Sequence, residues 1–526
     1  MKGDFARVTF DSTLHYSQVF QQQGRVMLEA DWNEQAGIQL SLLRSLVMDL
    51  VGPCWAAGKG FLFTVAPKLP DWSLTAGHFY ADGILCVNET ACTFATQPNL
   101  PTPDTVAGND GSTGQPASFA LWLDVWERHL CAVEAPSIAD VALNGVDTTS
   151  RAQVVWQMRM LDLAPEQATA SLASVRTALG LRKDLDAATL QQDLANLDAL
   201  ANALNGQGAA NTTLCDALRQ LVGARAAYAW PRMRAQLGPI DTESDPCVIA
   251  ADARYRGCEN QLYRVEIHRG GLASTDASST TTSFKWSREN GSVVFPALGN
   301  VTGQADDGSA VMTVTLGSLG RDQRLGLAAG DWVELVDDDY TLAQLAYPLL
   351  QVKAVDVTRR TVQLVLAGGV TPYALSNDAR KHPLLRRWDQ RDGVAAGGDV
   401  VLVEGKAFTL ENGIQISFEP GGLYATGDYW LIPARVSGQG MIEWPQVAGT
   451  ATPLPSRGMH HPAVLGTYTA AAGYTECCCR FDSLCALLRN SATRKSLDTT
   501  TGAITNNAAV TKTTPAAKKA TRKKTG

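Results

Sequence analysis

Beyond residue 245 the chain is a succession of short apolar runs, and this pattern constrains the fold more than any other feature. The runs are Leu262 to His268, Ser283 to Trp286, Val293 to Phe295, Val311 to Leu316, Trp332 to Val336, Leu349 to Val357, Val362 to Leu366, Val400 to Val403, Ile414 to Phe418 and Tyr429 to Ile432. Gly, Asp and Asn recur between them as turn signals, and strands spaced in this way build sandwiches or barrels. No fixed-period repeat points to a solenoid or propeller. The chain has 526 residues, which exceeds the roughly 250 to 300 at which one hydrophobic core stops growing, so several domains are expected. Hydrophobic residues make up 45% and charged residues 18%, the balance of a chain that folds.

Upstream, Asp31 followed by Glu34 has the spacing of an N-cap and its capping-box partner. Ala36, Leu40, Leu43, Val47 and Leu50 then recur at helical steps, and Gly52-Pro53 stops them. A helix over 32–51 is predicted, with an apolar stripe that must pack on something. His78 to Val87 is interrupted by Asp82-Gly83 and reads as a hairpin. In the run Phe119 to Arg128, Phe119, Leu121, Leu123 and Val125 face one side, and Val154 to Leu163 is a second strand. Residues 165 to 230 are rich in Ala, Leu and Gln and read as an inserted helical block. The expected fold is mainly β, with β-sandwich or barrel-like modules, an N-terminal helix and an inserted α-helical block, an α+β multidomain chain. The segments expected are an arm and helix at 1–60, a β domain at 61–164, the helical insertion at 165–230, and β domains at 245–370 and 371–490. The last ends in a Cys-rich stretch, and a disordered basic tail occupies 491–526.

The formal net charge of -7 is unevenly spread, because the tail holds eight Lys or Arg against the single acid Asp498. The remaining body is acidic, so nucleic-acid binding is not expected except through the tail, which can equally meet an acidic surface or serve only to solubilise. Neither a signal peptide nor an apolar stretch long enough to span a membrane is found, which places synthesis in the cytoplasm and makes incorporation into an assembly the route to any release. Eleven cysteines in such a length fall short of a disulfide scaffold, and reduced thiols are the default.

No phosphate loop, nucleophile elbow or His-Glu-x-x-His motif is present, and no cofactor or catalytic residue is expected. Cys477, Cys478, Cys479 and Cys485, with His460 and His461 upstream, supply ligand types that zinc accepts. Three consecutive cysteines cannot all point at one ion, so buried packing that leads into a helix at Cys485 is the reading preferred to a metal site. Asp337-Asp338-Asp339 offers oxygen ligands for calcium but lacks the spacing of a calcium loop, and a solvated turn is preferred. Trp122 and Trp126 are a sugar-stacking platform or, more simply, packed side chains. His15, His78 and His129 have no visible partner.

Several stretches resemble an uncharacterised bacterial family encoded beside phage-tail-like contractile injection systems. They are Met1 to Phe5, Gln22-Gln23-Gly24-Arg25-Val26, Asp31-Trp32-Asn33-Glu34-Gln35, Leu123 to Arg128, Glu259 to Glu266, Phe284 to Ser292 and Gly427 to Pro433. The resemblance implies a structural subunit of such a particle, baseplate-associated or an adaptor near a fibre. Its partners would be baseplate, spike or other tail proteins and further copies of itself. The helical block and basic tail look like additions to the family pattern. Asp31, Trp32, Asn33 and Glu34 are the expected interaction residues, at the head of a docking element. A tail-fibre protein that binds a cell-surface receptor or glycan is the first rival, and a polysaccharide-degrading enzyme the second, for which two carboxylates must be brought together by folding.

Overall fold

The computed structural model describes residues 1–101, 118–163, parts of 172–219, 230–238 and 254–482, apart from isolated positions between them (67, 69, 70, 144, 438, 439, 459 and 470–472). Met1–Arg480 forms one compact unit and Phe481–Gly526 a second. The basic tail and Cys485 lie outside the described residues. Mainly β architecture with a few helices is what the chain adopts, in several sheets that include a closed barrel.

The long α-helix, called α1 here, spans Glu29–Val51. It begins earlier than the capping-box spacing predicted: Leu28 is the N-cap and makes no side-chain cap, while Asp31 falls in the first turn. Carboxylates there favour the helix through its dipole, which explains how a cap-like spacing can sit one turn inside. Gly52, at φ 89°, stops the helix as expected, and its N–H bonds the Met48 carbonyl at 2.9 Å. Inside the predicted helical block, residues Ala187–Leu204 are helical.

Among the described residues three large apolar cores follow from the strand patterns, with two smaller clusters beside them. In the first, Gly77–Ala81 and Ile84–Asn88 form the predicted hairpin, with Asp82 and Gly83 both at positive φ. Ser118–Leu130 pairs with Arg151–Asp162 along its whole length, and on its other edge with His461–Thr469. The Phe119, Leu121, Leu123 and Val125 face meets Trp72, Phe79 and Trp156, as the alternation predicted. The strand that completes this sheet comes from the far end of the sequence.

The second core is a sandwich. One sheet runs in the order Val400–Val401, Ser283–Ser287, Gln261–Arg269, Tyr429–Arg435, Met441–Ile442. The other contains Ala407–Thr409, Ile414–Phe418, Arg232–Leu237 and Leu454–Pro455, and Tyr263, Phe284, Phe418 and Trp430 fill the space between. The third core is the interior of the barrel, closed by Val294–Gln304, Ala310–Leu316, Thr361–Val365, Leu350–Asp356, Trp332–Val336 and Leu384–Trp388. Among the described residues no helix is long and apolar enough to cross a membrane.

Candidate interaction surface and its buried charge anchor

The first residues of the chain are laid across the sandwich. Asn290 donates its amide to the carbonyls of Gly3 and Met1 at 2.9 and 3.2 Å, and Arg435 donates to the Ala6 carbonyl at 2.8 Å. Lys2 reaches Glu266 at 3.1 Å. That carboxylate also meets Arg264 at 2.5 Å and Lys285 at 3.5 Å, and Lys285 continues to Glu334 on the barrel. Glu334 accepts further bonds from Tyr340 and from the Trp388 indole, each at 2.9 Å. Burial alone would raise the Glu266 carboxyl, but the cations of Lys2, Arg264 and Lys285 outweigh it and hold the group well below its usual range. Burial is opposed in the same way at Glu334, by Lys285 before Lys2, which leaves that carboxyl at about 2. The arm, the sandwich and the barrel thus share one buried ion network, which fixes where the chain leaves the body.

From Asp11 to Glu29 every residue but Val19 is exposed, and α1 follows. The helix is placed with its apolar stripe outward. Trp32, Ala36, Leu43, Leu46 and Leu50 are all exposed, and Trp32 keeps 72% of its surface. Only Ala30 and Ile38 are buried. The opposite face, with Gly37, Ser41 and Ser45, looks onto a cavity of about 1110 Å³ that Met48, Trp126, Arg264 and Glu266 also line. Besides the burial of Ala30 and Ile38, what attaches the helix is polar and steric. Arg44 makes a bidentate ion pair with Glu127 at 2.8 and 3.2 Å. A side chain at Gly83 would meet the Arg44 carbonyl at 2.6 Å, and one at Gly37 would meet the Phe10 ring at 2.9 Å. Of the predicted stripe, Ala36, Leu43 and Leu50 face outward, joined there by Trp32 and Leu46, whereas Leu40 borders the cavity and Val47 is half-buried.

The expected interaction residues lie in the first two turns of α1, with Trp32 and Asn33 exposed and Asp31 and Glu34 half-buried. Among the described residues, the thiols and histidines singled out in the sequence are not brought to one point. His460 bonds Asp124 at 2.8 Å and lies against the Trp126 ring, whereas His461 bonds Asp82 at 2.9 Å. Cys477 forms a disulfide with Cys215, which corrects the reading of it as a reduced packing thiol. Leu214 and Leu218 pack with Cys215 on the sheet face of Ala120 and Val464, and this brings the two sulfurs together. Burial pushes the Cys478 thiol up, and Cys479 is exposed.

Among the described residues no three or more His, Cys, Asp or Glu gather as metal ligands. Asp337 caps a short helix, Asp338 pairs with Arg128 and His382, and Asp339 pairs with Lys381, so each carboxylate of that run has a structural partner. Trp126 is buried and Trp122 half-buried, which removes the exposed sugar platform.

Two histidines, His268 buried and His129 half-buried, couple this region to pH. Among the described residues neither ring nitrogen of His268 has a hydrogen-bond partner, nor has Nε2 of His129. Burial is the main cause that holds His268 down to about 4, where Lys285, Glu334, Asp399 and Arg269 face it. His129 is held down to about 3, by burial first and then by the cationic N-terminus and Arg386. As pH falls from 6.5 the unfolded chain therefore takes up protons that the folded chain refuses. Stability is full above 6.5 and declines towards 4, by up to about 1.4 kcal/mol per pH unit for each histidine. Urea midpoints between pH 7 and 4.5 measure this, and His268→Gln should flatten the slope. An unchanged slope in that variant would remove His268 from the account.

No curated protein matches the sequence. Among solved structures, a crystal structure of TssK aligns at 10% identity over 77% of this chain and 99% of that one, with a TM-score of 0.15, and nothing about this chain follows from so weak a likeness. The family of unknown function DUF6519 matches residues 1–525, and the chain belongs to it.

Proposed function

We propose that this chain is a structural subunit of a phage-tail-like contractile injection particle, baseplate-associated or an adaptor near the fibre, whose work is geometric and not catalytic. The outward stripe of α1 carries the reading. A helix that leaves Trp32, Leu43, Leu46 and Leu50 to water is built for a neighbour, since monomers rarely leave large contiguous apolar patches exposed. The resemblance of the opening residues, Met1 to Phe5 and Asp31 to Gln35, to proteins encoded beside contractile injection genes supports the identity of the assembly. In this reading the chain is made in the cytoplasm, and its partners are baseplate, spike or other tail proteins.

Affinity purification of tagged protein from its native host, followed by mass spectrometry and negative-stain imaging, tests it. Sheath, tube and spike proteins in tail-shaped particles are the expected companions. A free monomer or small oligomer without them would sink the reading, and polysaccharide hydrolysis and glycan binding would be measured next.

A further inference from the structure

We propose that the outward stripe of α1 docks against the same stripe of a second copy of this chain. The inference rests on the assembly reading and names one partner within it. Three observations converge on self-association.

The stripe is its own complement. With Gln39 counted, Trp32, Ala36, Gln39, Leu43, Leu46 and Leu50 follow one another at steps of four, three, four, three and four residues, the alternation close to 3.5 that lets two helices interdigitate side chains as knobs in holes. A surface that meets an identical surface across a two-fold axis needs this property, because each copy must offer both knob and hole.

The stripe is also uncharged. From Trp32 to Leu50, Gln39 is its polar member and no Lys, Arg, Asp or Glu lies on it; Glu29, one heptad before Ala36, stands at its N-terminal end and accepts from the Ala6 N–H. Two copies can therefore meet without opposing like charges, even though the body is acidic. An acidic or basic partner would find nothing here to select it.

Third, the area suffices. Twelve large exposed apolar side chains fall between Leu14 and Leu50, among them Tyr16, Phe20, Val26 and Met27 on the arm. The Val19 N–H bonds the Gln35 side chain at 2.7 Å, which holds the arm beside the stripe. At roughly 150 Å² for a fully exposed large side chain, the twelve present on the order of 1,000 Å². A stable interface needs about 800 Å² from each partner. The helix alone, about 35 Å long, is short for an isolated coiled coil, so the arm residues belong to the surface.

Sedimentation velocity and multi-angle light scattering of the purified full chain test the proposal, with Leu43→Ser/Leu46→Ser/Leu50→Ser as the variant. These side chains are 55 to 71% exposed, so the variant should keep the wild-type circular dichroism, with its melting temperature lowered only by the lost association. The wild type is expected at twice the 56.2 kDa chain mass. The variant is expected as a monomer, with the dimer dissociation constant raised at least about 100-fold. Hydrogen exchange adds a second readout, since amides of α1 should gain protection as wild-type concentration rises. A wild type that is monomeric at all concentrations overturns the proposal, and so does a dimer that survives all three serines. If the wild type is monomeric alone yet sits in particles that the variant cannot enter, another particle protein covers the stripe, and the assembly reading stands without this inference. A serine-sensitive dimer found in no particle would do the reverse.

Discussion

Lys285→Met should destabilise the chain by about 3 to 5 kcal/mol, the usual cost of removing one partner from a buried ion pair. Lys285 lies on a central strand of the sandwich, with 4% of its surface exposed, and its ammonium is shared between Glu266 and Glu334. Glu266 keeps Lys2 and Arg264 when the lysine is lost. Glu334 keeps hydrogen bonds from the neutral donors Tyr340 and Trp388 and the weaker charge interaction with Lys2, so most of the uncompensated charge falls on the barrel side. Methionine keeps an unbranched apolar chain in the site but gives up the ammonium, both its ion pairs and its place 4.5 Å over the Trp388 ring, so the loss is one of charge. Urea unfolding followed by circular dichroism should show a lower midpoint with an unchanged slope. Adding Glu334→Gln to the variant should recover part of the loss, as a coupled pair requires. The pH dependence is a further check. With a folded value of about 2, Glu334 stabilises the native chain fully above its ordinary 4.5, and that contribution is lost as pH falls through 2. Without Lys285 the loss should begin at higher pH. A cost below about 1 kcal/mol would mean that the two carboxylates are already compensated by other groups.

The mainly β character was legible because strand alternation is local. Phe119, Leu121, Leu123 and Val125 declared a buried face within a few residues, and Asp82-Gly83 declared its turn. The helix was legible for the same reason, but its direction was not. Ala36, Leu43 and Leu50 show that a stripe exists, and the rule that stripes face the core then points the wrong way, because a stripe reserved for a neighbour has the same spacing as one that packs inside. The Asp31 and Glu34 spacing suggested a start that Leu28 provides instead, since acids in a first turn and an acid at the cap look alike. The disulfide was hidden for a different reason. Cys215 and Cys477 are 262 residues apart, and only the packing of Leu214 and Leu218 on the sheet brings them together. The ion network that anchors the arm joins residues as distant as Lys2 and Glu334, and no local pattern marks such a set.

Long-range pairing also underlies the other large effect, expected for Trp72→Ala at about 3 to 5 kcal/mol. Trp72 is fully buried and donates its indole N–H to the Ala66 carbonyl at 2.8 Å. Its ring lies 5.5 Å from that of Phe119, 5.4 Å from Tyr468 and 5.8 Å from Tyr474, so one side chain joins the N-terminal strands to the strand that returns from the far end of the chain. Truncation removes the indole from this aromatic cluster and leaves a cavity that the surrounding β framework cannot easily collapse. Trp72→Phe keeps most of the ring contacts but gives up the bond to Ala66, and should cost about 1 to 2 kcal/mol. The location of the damage is as informative as its size. Hydrogen exchange in Trp72→Ala should rise over His461–Thr469 and Gly473–Glu476, which pair with each other and cover the Trp72 side of the sheet. The sandwich strand Gln261–Arg269, packed in a different core, should keep its protection. If exchange rose equally everywhere, the three cores would unfold as one cooperative body. If it did not rise over His461–Thr469, the C-terminal strand would not depend on the N-terminal core for its stability.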